Sequence, residues 1–125
     1  MIHGIGTDIV EIKRISEMKS FDAFSKKILS ENELSIFHKI KDAKKASFLA
    51  KQFAGKEAIA KAFGTGFKNS IQISNIEVLR DDAGKPIFNP LNELEEKMID
   101  LGITKTHVSL ADERDYATAF AILEI

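Results

Sequence analysis

The chain has 125 residues, of which 44% are apolar and 30% charged, with no cysteine and a formal net charge of −1. Such a length buries a core without a disulfide or metal staple, and the composition excludes a disordered, collagen-like or repetitive chain. Lack of cysteine excludes thiol catalysis and thiolate zinc sites, and balanced charge gives no global attraction to nucleic acid or membrane.

Residues Ile2 to Ile12 are rich in β-branched side chains and predict a strand, within which Gly4 and Gly6 mark a bulge or a close backbone approach. Alternation along that strand puts Asp8 on one face with Ile2, Val10 and Ile12, odd company for a carboxylate. A short helix is expected over Phe21 to Leu29. Ser30-Glu31-Asn32-Glu33 then matches a capping box, with Leu34, Phe37 and Ile40 following at helical spacing. After a basic cluster from Lys39 to Lys45, a long helix should run from about Ala43 to Phe63 and stop at Gly64. Ile71 to Leu79 reads as a strand, Asp81 to Pro86 as a turn, and Ile87-Phe88 as a short extended piece. Asn89-Pro90 is expected to open a helix with Leu91, Leu94, Met98 and Leu101 inward and Gly102 as its stop. Two strands, Thr106 to Ala111 and Tyr116 to Leu123, close the chain as a hairpin. The order predicts an α+β fold with a mostly antiparallel sheet, as a single domain over residues 1–125. No stretch approaches the ~18 to 20 apolar residues of a membrane span. Met1-Ile2-His3-Gly4 lacks the basic segment and apolar run of a secretory signal, so a cytoplasmic location is expected.

The long helix carries charge in an unexpected place. Taking Phe53 as origin, Glu57 falls at about 40 degrees and Lys61 at about 80 degrees. Leu49 and Ala60 lie on one side of Phe53, and Ala50 and Ala54 on the other. Lys51 and Gln52 point away from that face, and Lys56 lies at its margin. A surface i,i+4 pair would account for Glu57 and Lys61 by spacing alone. Their placement among small and apolar side chains instead calls for a partner: a substrate phosphate, a metal ion or a carboxylate elsewhere in the fold. Asp8 and Glu57 together suit a hard divalent cation, since magnesium takes one or two carboxylates with water and phosphate oxygens. Lys61 adds a cation able to neutralise phosphate charge or carry a proton. This is chemistry for displacement at a pyrophosphate.

Gly4-Ile5-Gly6-Thr7-Asp8-Ile9-Val10, Phe53-Ala54-Gly55-Lys56-Glu57-Ala58 continuing through Lys61-Ala62-Phe63-Gly64-Thr65-Gly66, and His107-Val108-Ser109-Leu110 occur in this order along the chain. In these segments the chain resembles the small, single-domain holo-acyl-carrier-protein synthases of the 4′-phosphopantetheinyl transferase family. The resemblance implies transfer of phosphopantetheine from coenzyme A to a serine of acyl carrier protein in fatty-acid synthesis, releasing adenosine 3′,5′-bisphosphate. It implies magnesium held by Asp8 and Glu57 against the pyrophosphate, with Lys61 at the reacting phosphate. It leaves the base open between a metal-bound water, Glu57 and the substrate's own phosphate. It also implies a homotrimer whose active sites are shared between neighbouring subunits.

Other positions gain a role from the same resemblance. Gly64 and Gly66 are explained by a helix-ending loop, and the resemblance adds a phosphate contact. Lys85 and Pro86, in a turn between strands, become a loop near the adenine and ribose, and His107 a coenzyme A contact. Ser109 is no partner for His107 in a hydrolase dyad, because i,i+2 neighbours on a strand lie too far apart. Lys13 and Arg14 read as solvated surface, yet carrier proteins are acidic and Arg14 matches the place where similar enzymes meet them. Lys44 and Lys45 are candidates for the 3′-phosphate. The chain departs from many relatives at Gln52, where they carry arginine, and at Ala111, where a polar residue is common. Two other functions stand beside this one: a metal-dependent nucleotide pyrophosphatase using the same carboxylates with water as nucleophile, and a non-catalytic coenzyme A-binding or carrier-docking module that uses only Arg14 and the basic cluster.

Overall fold

The computed structural model describes residues 1–68 and 70–125. A strand β1 (Ile2–Glu11) leads into four helices, α1 (Ile12–Ser16), α2 (Phe21–Ile28), α3 (Glu31–Lys39) and α4 (Asp42–Phe63). A 3-10 turn (Ile73–Asn75) precedes β2 (Ile76–Arg80) and β3 (Pro86–Pro90), and α5 (Glu93–Asp100) precedes β4 (Lys105–Asp112) and β5 (Tyr116–Glu124). The expected α+β class and antiparallel pairing are both present. The strands divide into a three-stranded sheet ordered β1-β5-β4 and a two-stranded sheet of β2 and β3.

Helix α4 is the axle. It packs against β1, β5, β4, β2, α1 and α3, and its alanines and glycine allow neighbours to approach from nearly every side. Its N-terminal neighbour α3 is held by the expected capping box: Glu33 N–H donates to Ser30 Oγ (3.2 Å) and Ser30 N–H to Glu33 Oε1 (2.8 Å). Gly64, with φ of 87°, ends α4 in the left-handed conformation that suits glycine.

The two glycines of β1 fix how close that strand lies to α4. A Cβ at Gly4 would stand 1.9 Å from the Ala62 carbonyl oxygen, and one at Gly6 1.9 Å from that of Ala58. The strand backbone therefore rests directly on the helix backbone, and the expected bulge is present as well, as a register shift between Ile2 and Gly4. Asp8, on the same face as these glycines, is carried onto the helix. Val10 shares that face and is buried, but Ile2 is 58% exposed and Ile12 has left the strand for α1, so only part of the expected face holds.

Several other expectations are corrected. Helix α1 was not anticipated; it is a single turn containing Lys13 and Arg14, too short to show a period. Residues 71–75 are not strand: the 3-10 turn occupies Ile73–Asn75, the Ile73 carbonyl accepts from Lys56 Nζ, and strand pairing begins only at Ile76. Asn89 and Pro90 finish β3 by pairing with Glu77 and Ile76, and α5 starts only after Asn92, whose φ of 56° breaks the backbone direction.

The largest correction concerns α4. The direction of Phe53, Glu57 and Lys61 is its most open side, because the other sides are packed, while Gln52 and Lys56 are interred. Lys56 is 0% exposed. Its ammonium donates to Glu33 Oε1 at 2.7 Å, and Gln52 Nε2 donates to Glu33 and to the Val78 carbonyl (2.9 Å). Glu33 also accepts from Val78 N–H at 3.1 Å. Beside this cluster, buried Glu77 accepts from Ser30 Oγ (2.6 Å), Asn32 Nδ2 (3.2 Å) and Asn89 Nδ2 (2.9 Å). Burial pulls the Lys56 pKa below the ordinary lysine value, with Glu33 opposing that shift. This network ties α3, α4, β2 and β3 into one unit.

Candidate active site

Asp8 comes from β1 and Glu57 and Lys61 from one edge of α4, and the glycine contact brings them together. Lys61 Nζ donates to Asp8 Oδ1 at 3.1 Å and to the Thr7 carbonyl at 2.9 Å. The Asp8 side chain is mostly covered while Lys61 is half exposed, so the pair sits at a mouth rather than in the core. Partial burial raises the Glu57 pKa above the ordinary carboxylate value, and the Asp8 charge raises it further. Lys61 and Arg14 act in the opposite direction. Glu57 therefore feels all three charges, and the site consists of two carboxylates facing two cations.

No group of three or more His, Cys, Asp or Glu side chains gathers among the described residues. Two carboxylates with open solvent beside them are a poor cage for zinc or calcium. They match magnesium, which keeps waters and takes phosphate oxygens. The Lys61 ammonium against Asp8 demonstrates that this spot accepts positive charge.

The other sequence-expected residues fall either beside this mouth or farther off on the surface. Gly64 and Gly66, with φ of 87° and 68°, form the loop immediately beyond Lys61 and so border the mouth. Arg14 is exposed on α1, close enough to lower the Glu57 pKa. Lys44 is exposed in the first turn of α4, about 20 Å along the helix axis from Glu57. Lys45 is tied to Asp42 (3.2 Å) and lies over the Phe37 ring.

Lys85, Pro86 and His107 do meet one another. They line a cavity of about 130 Å³ together with Ile87, Phe88 and Val108. The turn that carries Lys85 is as expected, with Asp81 Oδ1 accepting from Ala83 N–H (2.9 Å) and Lys85 N–H (2.8 Å). This cavity is separate from the carboxylates. In the sheet, Asp8 pairs through Ala119 with Leu110, whereas His107 lies three residues back along β4. The two clusters are thus offset about 10 Å along the strands and about 10 Å across them.

Sequence reasoning passed over two groups. Glu124 lies 2.7 Å from His107 Nε2, and its signal was the hairpin register, which makes them diagonal neighbours. Gln52, read as pointing away and as a missing phosphate contact, is 1% exposed and bound to Glu33, so it is no ligand group at all in this arrangement.

A model of the 4′-phosphopantetheinyl transferase superfamily matches residues 4–121. The chain is 44% identical over 126 residues to a holo-[acyl-carrier-protein] synthase of Nitrosospira multiformis, covering 99% of each. Its fold is similar to the Neisseria meningitidis holo-[acyl-carrier-protein] synthase, with a TM-score of 0.94, 42% identity and complete coverage of both chains (100%). It is similar also to the Bacillus anthracis enzyme in complex with coenzyme A (3′,5′-ADP), with a TM-score of 0.83 and 37% identity over 98% of this chain and 96% of that one.

Proposed function

The chain belongs to the 4′-phosphopantetheinyl transferase superfamily, and on that premise we propose that it converts apo-acyl carrier protein to its holo form. The 4′-phosphopantetheine group moves from coenzyme A to a serine hydroxyl of the carrier protein, releasing adenosine 3′,5′-bisphosphate. The serine oxygen gives up its proton and bonds to the phosphorus that carries pantetheine, and the P–O bond inside the pyrophosphate breaks. The observation that carries this reading is the meeting of Asp8, Glu57 and Lys61 across the glycine contact of β1 with α4.

Asp8 and Glu57 are the residues that would hold magnesium, which would supply Lewis-acid stabilisation of the charge that develops on the leaving group. Lys61 swings between Asp8 and the transferring phosphate, where its ammonium offsets developing negative charge. Gly64 and Gly66 let the loop beyond Lys61 approach a phosphate closely. Arg14, exposed beside the site, is the contact for the acidic carrier protein, steering encounter and orienting the serine. Lys85, Pro86 and His107 receive the nucleotide end of coenzyme A, and Lys44 reaches the 3′-phosphate.

One protomer keeps these groups in separate places, which supports a homotrimer whose sites are completed by neighbouring chains. The outer face of the three-stranded sheet supports it too, since Ile5, Ile9 and Phe120 are 59%, 63% and 43% exposed there. Among the described residues no helix is long and apolar enough to cross a membrane, and we place the reaction in the cytoplasm, serving fatty-acid synthesis.

The test is a mass-spectrometric assay with apo-acyl carrier protein, coenzyme A and magnesium. Gain of one phosphopantetheine by the carrier supports the reading, with the gain lost in Asp8→Asn and Glu57→Gln and on chelation of the metal. No gain overturns it, as does release of adenosine bisphosphate at the same rate without the carrier protein, which would mark a hydrolase.

A further inference from the structure

We propose that Glu124 is a positioning residue for coenzyme A binding: it fixes the His107 ring so that Nδ1, not Nε2, is the nitrogen offered to the nucleotide end of the ligand. The inference rests on the reading above, in which the cavity lined by Lys85, Pro86 and His107 takes that end of coenzyme A.

The β4–β5 register pairs His107 with Ile122, which makes Glu124 its diagonal neighbour on the same outer face of the sheet. His107 Nε2 lies 2.7 Å from Glu124 Oε2, a short, charge-assisted contact. The hydrogen bond to His107 holds the Glu124 pKa below the ordinary carboxylate value. An ionised carboxylate only accepts, so the proton of this bond belongs to Nε2. That leaves Nδ1 on the other edge of the ring. A neutral ring there accepts from an amine, and a protonated ring donates to a phosphate oxygen.

Within one chain a half-exposed histidine paired with a glutamate contributes little to stability, so stability alone does not account for the arrangement. The difference here is that the same residue lines the cavity, beside the Lys85 turn and Phe88. His107 is otherwise half exposed, and without Glu124 its ring would turn freely and exchange tautomers. Holding one tautomer in one rotamer before the ligand arrives removes an ordering cost from binding.

The test uses the full-length enzyme and its Glu124→Ala, Glu124→Gln, His107→Ala and doubly substituted Glu124→Ala/His107→Ala forms. Glu124→Ala should raise KM for coenzyme A roughly 5- to 10-fold, as expected for loss of one orienting hydrogen bond, with kcat unchanged within about twofold. Glu124→Gln, which keeps an acceptor oxygen, should recover most of that loss. The double substitution should be no worse than His107→Ala, because both act through one ring. Nitrogen-15 spectra should report Nε2 protonated in the parent and a tautomer mixture in Glu124→Ala. Additive effects on KM, or unchanged ring nitrogens in Glu124→Ala, overturn the proposal. Calorimetric titration of coenzyme A separates the two readings: without any transfer by the parent the assigned reaction fails, yet a Glu124-dependent affinity would still sustain the pair's role.

Discussion

Glu57 binds its proton more tightly than an ordinary glutamate, because burial and the Asp8 carboxylate both disfavour its charge. The sign of the consequence follows from linkage. With the folded pKa above the unfolded one, the native state holds more protons between the two, so stability falls as pH rises through that window. At pH 7 to 8 the ionised Glu57 therefore weakens the fold. Glu57→Gln should raise Tm in chelator at that pH, lose the advantage near pH 4, and reduce transfer at least about a hundredfold. A scanning calorimetry series from pH 4 to 8 checks it; a lower Tm at pH 7.5 would contradict it. Asp8, Glu57 and Lys61 were legible because ionisable side chains in an otherwise apolar pattern need partners. Lys56 was not, since a lysine near the edge of a helical face normally extends to water, and only Glu33 from another helix makes its burial tolerable.

Among the elements, α4 does two jobs on two sides. Its open edge presents Glu57 and Lys61, and its interior edge carries the Gln52 and Lys56 bonds that couple it to α3 and to β2. Lys56→Met would strand Glu33 in the interior and should destabilise the protein by about 3 to 5 kcal/mol, measured by urea unfolding. Adding Glu33→Gln to Lys56→Met should restore part of that loss. The contact of β1 with α4 is as sensitive. Gly6→Ala sets a methyl against a helix carbonyl and should cost about 3 kcal/mol, with transfer impaired beyond what the lost stability explains, because Asp8 moves with the strand. Long, periodic or well-capped elements were readable from local pattern: α3, α4 and the closing hairpin. Single-turn α1 and the 3-10 turn were not, because their backbone bonds are decided by distant groups such as the Lys56 ammonium.

At the scale of the whole molecule, the residues proposed to meet coenzyme A do not converge in one chain, and one face of the main sheet leaves Ile5, Ile9 and Phe120 uncovered. Burying such residues against a copy of the chain would supply a large favourable term, of roughly 1.5 to 3 kcal/mol for each large side chain fully covered. Ile5→Glu and Phe120→Glu should each convert a trimer to monomer in light scattering, and transfer should then rise more steeply than linearly with enzyme concentration. Trimeric behaviour persisting in both variants would move the interface elsewhere. The proposed assembly is illegible in composition because a surface apolar side chain and a core one look alike in a strand that alternates. The fold class, by contrast, was readable from element order alone.

The glycine contact between β1 and α4 also has a genetic consequence. Every missense change of one base in a glycine codon encodes a residue with a Cβ, and at Gly4 and Gly6 a Cβ would lie 1.9 Å from a helix carbonyl oxygen. These codons have no harmless missense neighbours, so a saturation library should be emptied of substitutions at both, as it should be at Asp8.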